Sequence, residues 1–379
     1  MKIAFVSGML PSGHYSQYIT SGLVKIKNVD LLVYTDNDRK NLEIINCGKI
    51  IPTWSKSSKF IFEILGRLLK DSPDIVHYQH EFNMYGNIFS ALIFPFLVAL
   101  SRLLGIKVVT TIHAAVFKKQ INKEFIYTFN QNPKYIKPFV LYLFFYYVYK
   151  SISLFSNEVI VHTKLTKKIL TEDYGVDAKK VKVIPAAIPQ KTDYRIKKEK
   201  YFFYFGYMAR RKGLGYAIEG FKKFIKKNPK SPYKFILAGG VIKGQEDSLQ
   251  EIKKMIKKSK LEDKIIYKGF IEEREQDSLY QKAAAVVIPA VLSMGSSGPL
   301  YHANSYGKCI LASKIGHFLE DIEDKKTGIL VDNEKWQDAF ELLSKQNDIV
   351  NYIENCVIKK TLSRSPVKIA KKYIKLYKK

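Results

Sequence analysis

Cysteine is scarce: only Cys47, Cys309 and Cys356 occur among 379 residues, an odd number with no CxxC pair and no Cys/His spacing. Neither a disulfide framework nor a zinc site is indicated, and a reducing, cytoplasmic setting is expected. The opening MKIAFVSGML lacks the long apolar segment of a secretory signal and reads as a first strand running into a loop that contains Pro11 and Gly13. Uninterrupted apolar runs of about 20 residues, as a bilayer span needs, are also missing. The stretch 87–105 contains Pro95 and Arg102, and 137–155 is cut by Lys150. Both read as helices of a soluble core, although the second, rich in tyrosine and flanked by lysine, also suits a membrane interface. The first loop, GMLPSGHYS, falls short of GxGxxG, which argues against a nicotinamide enzyme.

Acidic residues are few, 35 against 63 lysines and arginines, for a formal net charge of +28. Part of that surplus is ordinary solvated lysine, and part can attract polyanions or an anionic membrane face. No RNP-like aromatic motif, zinc finger or helix-turn-helix pattern accompanies it, so nucleic acid is not the expected partner.

What is abundant is core-forming material: 46% hydrophobic residues, with 25 Tyr and 23 Phe. A chain of this length exceeds one core, which points to two domains. Short β-branched runs at 3–6, 29–34, 74–78, 107–112 and 158–163 alternate with longer helix-compatible stretches. The rhythm repeats at 201–207, 234–240, 264–270, 284–290 and 309–313. Two doubly wound α/β domains with parallel sheets, facing one another across a cleft, are therefore expected. Their boundary should fall in IPQKTDYRIKKEK, giving units 1–190 and 191–364. Residues 365–379 place Val367, Ala370, Ile374 and Tyr377 at helical spacing, as an amphipathic helix packed on one domain.

Two segments carry chemistry. In FGYMARRKGLGYAIEGF, a strand ends in glycine and Arg210, Arg211 and Lys212 precede a helix, whose N-terminus adds partial positive charge and free N–H groups. In LSMGSSGPLYHANSYGKCILAS, Gly295, Ser296, Ser297 and Gly298 form a small loop, Pro299 suits a first helical turn, and the amides up to Leu300 can approach an anion closely. Each is weak alone. Two such loops at strand ends of one domain suggest a diphosphate site.

The order DIVHYQHEF, VVTTIHA, IVHTKLTKKIL, KVKVIPAAI, FGYMARRKG, FILAGG, IIYKGF and AxxxGKCILAS ending in KIG resembles the GT-B glycosyltransferases of family 4 over nearly the whole chain. The resemblance implies two Rossmann-like domains, a C-terminal helix crossing back to the N-terminal domain, a UDP- or GDP-sugar donor, retention of configuration and no metal cofactor. It assigns Lys212 to the donor phosphates, His113 to the neighbourhood of the transferred sugar and Gly13 to the loop near both substrates. The family's second cation falls on Tyr207, leaving Arg210 or Arg211 to replace it. Its paired glutamates fall on Met294 and His302; His302 retains hydrogen-bonding capacity toward a ribose, Met294 has none for a sugar, and Ser296 or Ser297 is expected to take over part of that contact. His80 and Glu81 are the acceptor-side candidates. The expected activity is retaining hexosyl transfer to a glycan or lipid-linked glycan, possible at an anionic membrane surface. The competing readings are a sugar-nucleotide-binding protein with attenuated catalysis and, on charge alone, a nucleic-acid binder.

Overall fold

The structure, a computed structural model, describes residues 1–8, 13–37, 48–129, 134–191, 196–242 and 245–379, without the side chains of Gly13 and His14. Cys47 and the 9–12 part of the first loop lie outside the described residues. Seven strands form the first sheet: β1 (Lys2–Val6), β2 (Asp30–Asp36), β3 (Lys49–Trp54), β4 (Ile75–His80), β5 (Lys107–Ile112), β6 (Glu158–Val161) and β7 (Val181–Val183). Six form the second: β8 (Tyr201–Phe205), β9 (Lys234–Ala238), β10 (Ile265–Tyr267), β11 (Ala285–Ile288), β12 (Ile310–Ser313) and β13 (Ile329–Val331). All pairings are parallel, in the orders β3-β2-β1-β4-β5-β6-β7 and β10-β9-β8-β11-β12-β13. The expected pair of doubly wound domains is what forms.

Strands β3, β7 and β13 were not foreseen. Each is the edge of its sheet. Their segments are short and only partly buried, and β3 contains Pro52, which an edge tolerates because one side of the strand needs no partner.

Strand parity distributes the aromatic side chains. In β8, Phe202 and Tyr204 enter a core with Phe221, Phe235 and Phe340, while Tyr201 and Phe203 enter the opposite core with Tyr280 and Leu300. In the first domain, helices Phe60–Asp71, Ile88–Leu103, Pro138–Phe155 and Lys164–Glu172 bury their inner faces in one cluster around Phe94 and Tyr149. Helices Gly13–Leu23 and Pro366–Tyr377 cover the other face. The closing helix thus returns to the N-terminal domain, burying Ile369, Ala370, Tyr373 and Tyr377 against Ile3, Phe5 and Tyr18. Gly22 permits this contact: a Cβ there would stand 2.2 Å from the Pro366 carbonyl oxygen.

The strand order reverses between β1 and β4 in one sheet and between β8 and β11 in the other. At such switch points the adjacent loops diverge to opposite faces and leave a crevice beyond the carboxyl ends of the strands.

Candidate functional site

The crevice of the second domain opens beyond β8 and β11. The chain leaves β8 through Gly206 and forms a single 3-10 turn, Arg210–Lys212, before helix Leu214–Lys227. Gly213 between them has φ +63°, and a Cβ there would lie 1.9 Å from the Pro289 carbonyl oxygen. The Arg211 carbonyl also accepts from Val291 N–H at 3.1 Å. The basic turn is therefore fastened to the loop after β11, which leads into the Ser297-capped helix Gly298–Ser305. Ser297 Oγ accepts from Leu300 N–H at 3.4 Å, and Pro299 stands in the first turn.

The three basic residues are not equivalent. Arg210 donates to Glu251, with Nη2 to Oε1 at 2.7 Å and Nε to Oε2 at 3.3 Å, and its guanidinium lies 4.6 Å from the Tyr127 ring centroid. That bidentate pair commits it to the protein. Arg211 has a buried Nε with no hydrogen-bond partner among the described residues, and burial lowers its pKa against a smaller opposing pull from Tyr204, Glu81 and Tyr207. Lys212 is half-buried, and among the described residues its ammonium has no hydrogen-bond partner. Burial brings its pKa down to about 8, with the Arg211 charge adding to the fall and Glu81 opposing it. Two under-solvated cations without adequate counter-charge make a site for an anion. Of the two arginines, Arg211 is thus the candidate for a phosphate contact. Arg211→Ala should weaken nucleotide-diphosphate binding about tenfold or more, whereas Arg210→Ala should change it less than about threefold, measured by calorimetry with UDP and GDP. Equal losses would refute the distinction.

Across the crevice, β4 ends in His80 and is followed by Glu81, and His113 follows β5. Glu81 is exposed and bears electrostatically on both Arg211 and Lys212. His80, expected on the acceptor side, is 1% exposed, lodged between the Phe82 and Phe94 rings at 5.3 and 5.0 Å, and burial lowers its pKa to about 3. Strand alternation is the cause: His80 shares a face with Tyr78, under helix Ile88–Leu103, while His77 and Gln79 point to the other face.

His113 sits at the cleft with Nε2 2.9 Å from Gln79 Oε1 and its ring edge-on to Tyr15 at 4.8 Å. An amide oxygen only accepts, so Nε2 carries the proton and Nδ1 is left as an acceptor. The Gln79 amide nitrogen donates to His77 Nε2 at 3.1 Å, and His77 Nδ1 donates to Tyr377 Oη at 2.5 Å. A hydrogen-bonded chain thus runs from the closing helix to His113. Burial, then the neighbouring His162, His80 and His77, holds the His113 pKa well below the usual imidazole range, so the ring is neutral. Sequence reasoning missed Gln79, Tyr15 and His162; parity along HYQH was the available signal for Gln79, but which face opens on the cleft is a tertiary matter.

The loop 292–295 closes the cleft. Gly295 bridges Ala114 in antiparallel fashion, and Ala115 N–H donates to the Met294 carbonyl at 2.6 Å. Met294 and Leu292 pack against the core of the first domain. That explains an apolar residue where the family has a glutamate: the side chain is used for domain contact. His302 is 5% exposed, its Nδ1 3.2 Å from Tyr18 Oη and its Nε2 2.6 Å from Gln276 Nε2. Both ring nitrogens are engaged within the protein, and the Tyr18 contact links the two domains. Further contacts hold the domains together: Glu320 accepts from Lys164 and Leu165 N–H at 2.6 and 2.8 Å at a helix N-terminus, and His317 bridges Thr166 and Ser293 at 3.0 and 3.1 Å. Gly13 opens helix Gly13–Leu23. Ser296 Oγ is buried without a hydrogen-bond partner among the described residues.

Two Rossmann-like domains facing a cleft define the class of GT-B proteins. Residues 14–191 match the family described as Glycosyltransferase Family 4, and residues 189–349 that described as Glycosyl transferases group 1. The chain belongs to the group 1 glycosyltransferases. Among curated relatives, it is 24% identical over 226 residues to an O-antigen chain mannosyltransferase, RfbU, of Salmonella typhimurium, covering 59% of this chain and 61% of that one. It is 25% identical over 181 residues to mannosylfructose-phosphate synthase of Agrobacterium fabrum, covering 40% of each. The alignments thus span less than two thirds of these relatives. Similar solved structures include HepE of Anabaena with UDP and glucose, at a TM-score of 0.73 and 14% identity over 100% of this chain and 99% of that one. Sucrose-phosphate synthase of Thermosynechococcus elongatus has a TM-score of 0.72 at 12% identity, covering 100% and 98%. At such identities the likeness is one of fold.

Proposed function

We propose that the protein transfers a hexose from a UDP- or GDP-sugar to a glycan or lipid-linked glycan acceptor, with retention of anomeric configuration. The observation that carries this reading is the pair Arg211 and Lys212, desolvated and short of partners beside the Ser297-capped helix start. The relative named as an O-antigen chain mannosyltransferase and the fold neighbour solved with UDP and glucose support the substrate class.

In the reaction the bond between the sugar C1 and the donor phosphate oxygen breaks while the acceptor oxygen bonds C1 from the same face. The acceptor proton passes to the departing phosphate oxygen. Arg211, Lys212 and the amides after Ser297 stabilise the charge that builds on the leaving diphosphate, which is the main demand of such a step. These groups supply the positive charge that a metal provides elsewhere, so no step calls for one. Neutral His113, with Nδ1 as acceptor, is suited to a sugar hydroxyl rather than to an anion.

The test is a panel of UDP- and GDP-sugars scored for binding and nucleotide release. At least one donor should bind and turn over slowly by hydrolysis, and faster with an acceptor glycan. Binding of a donor with no turnover under any acceptor would point instead to an attenuated binder, which the apolar Met294 would favour; failure of every donor to bind would sink both.

A further inference from the structure

The first domain presents an apolar outer surface that its fold does not use. Helices Phe60–Asp71, Ile88–Leu103 and Pro138–Phe155 send their inner stripes into one core cluster, so their outer stripes face the same way. Those outer stripes carry Phe62, Phe89, Phe96, Leu103, Phe139 and Leu143, all exposed, with Leu103 at 81% and Phe62 at 75%. On the middle helix the exposed positions Phe89, Leu92, Phe96, Leu100 and Leu103 recur every three or four residues, a continuous line along the helix. Helix Pro138–Phe155 is long and apolar enough by composition to cross a membrane, with a mean hydropathy of 1.3. Its Phe145, Val148, Tyr149 and Ile152 are built into the domain core, however, and Tyr149 Oη donates to the Ala114 carbonyl. It belongs to the sheet's covering layer.

The charge around this face is mainly positive, although helix Phe60–Asp71 carries Glu63 and Asp71 beside Arg67 and Lys70. From residue 82 to residue 157 the sequence contains eight lysines and arginines and a single acid, Glu124. Lys59, Arg102, Lys134, Lys137 and Lys150 are exposed at helix ends and flanks. Contiguous exposed apolar faces of this kind mark interaction sites. A second copy of the chain is disfavoured as the occupant, because two such faces would bring like charges together. We infer that this three-helix face docks on an anionic lipid bilayer, with the aromatic and leucine side chains at the acyl boundary and the lysines among the headgroups. The Arg211 guanidinium lies 5.8 Å from the Phe129 ring, which packs on the same core cluster as the three helices. Docking itself does not depend on the sugar-transfer reading.

The experiment is flotation of the full chain with vesicles of pure phosphatidylcholine and of phosphatidylcholine mixed equally with phosphatidylglycerol. The protein should float with the mixed vesicles at low salt, largely stay behind with the neutral ones, and be partly released by high salt. Phe96→Asp combined with Phe139→Asp alters only exposed positions and should abolish most of the floated fraction while leaving the circular dichroism spectrum and nucleotide binding unchanged. Protein that remains at the bottom with mixed vesicles overturns the inference. So does a double variant that floats like the parent, or a concentration-dependent dimer that the double variant dissolves. Because the readout is vesicle binding, its failure is distinct from a failure of sugar transfer.

Discussion

Lys212→Ala should lower transfer about a hundred- to a thousand-fold with the fold intact, the scale seen when one preorganised charge partner of a developing anion is removed. The side chain is half-buried and makes no hydrogen bond among the described residues, so its loss deprives no protein group of a partner. Its absence leaves Arg211 as the one remaining cation of the turn toward the diphosphate, since Arg210 is paired with Glu251. The pH profile offers a second signature. Burial sets the Lys212 pKa at about 8, so the free enzyme loses this charge as pH rises through that value. Consequently kcat/KM should be flat below pH 8 and fall above it, because that parameter reports the free enzyme. A bound diphosphate favours the ammonium form, so in kcat the fall should move to higher pH. Lys212→Arg, always charged, should recover part of the activity and remove the alkaline limb. Normal turnover in Lys212→Ala, or an unchanged alkaline limb in Lys212→Arg, would remove this residue from the mechanism.

The second large effect is expected at Gly295. A Cβ at this position would stand 2.0 Å from the His113 carbonyl oxygen and 3.1 Å from the Ala114 Cα, both backbone atoms that cannot swing aside. Gly295→Val must therefore break the bridge to Ala114 and push the 292–295 loop off the first domain. Lys212 and Arg211 are untouched, so nucleotide affinity should stay within about threefold of the parent. Transfer should fall by about two orders of magnitude, because a displacement near 1 Å between reacting groups has that consequence. Calorimetry with the nucleotide and a transfer assay on the same preparation check the split. Parallel loss of both, or of neither, would show that the loop does not align the two halves of the cleft.

Much of the architecture was readable from residue patterns because a parallel sheet buried on both faces leaves a mark: short β-branched runs at regular intervals. That mark fades at the edges, and β3, β7 and β13 were overlooked for that reason. The closing helix was legible from Ala370, Ile374 and Tyr377, yet its partner was not, since an apolar stripe does not name the surface it will meet. At the site, the RRK turn and the Ser297 helix start were recognisable from local chemistry, as a basic turn before a helix and a capped, proline-primed first turn.

By itself the sequence determined the two-domain plan, the basic turn and the Ser297-capped helix start, and the departure from the family at Met294 and His302, because these reside in local patterns and order along the chain. Only the tertiary structure decided how those residues are used. Arg210 and Arg211 are adjacent and chemically alike, but Glu251 and Tyr127 lie against one and not the other. His80 and Gln79 are adjacent too, and the pleat sends one into the core and the other to His113. Met294 and His302 turn out to be contacts between domains. What a polar or charged group does depends on what surrounds it, and those surroundings come from residues as far as 300 positions away, as Tyr377 does for His77.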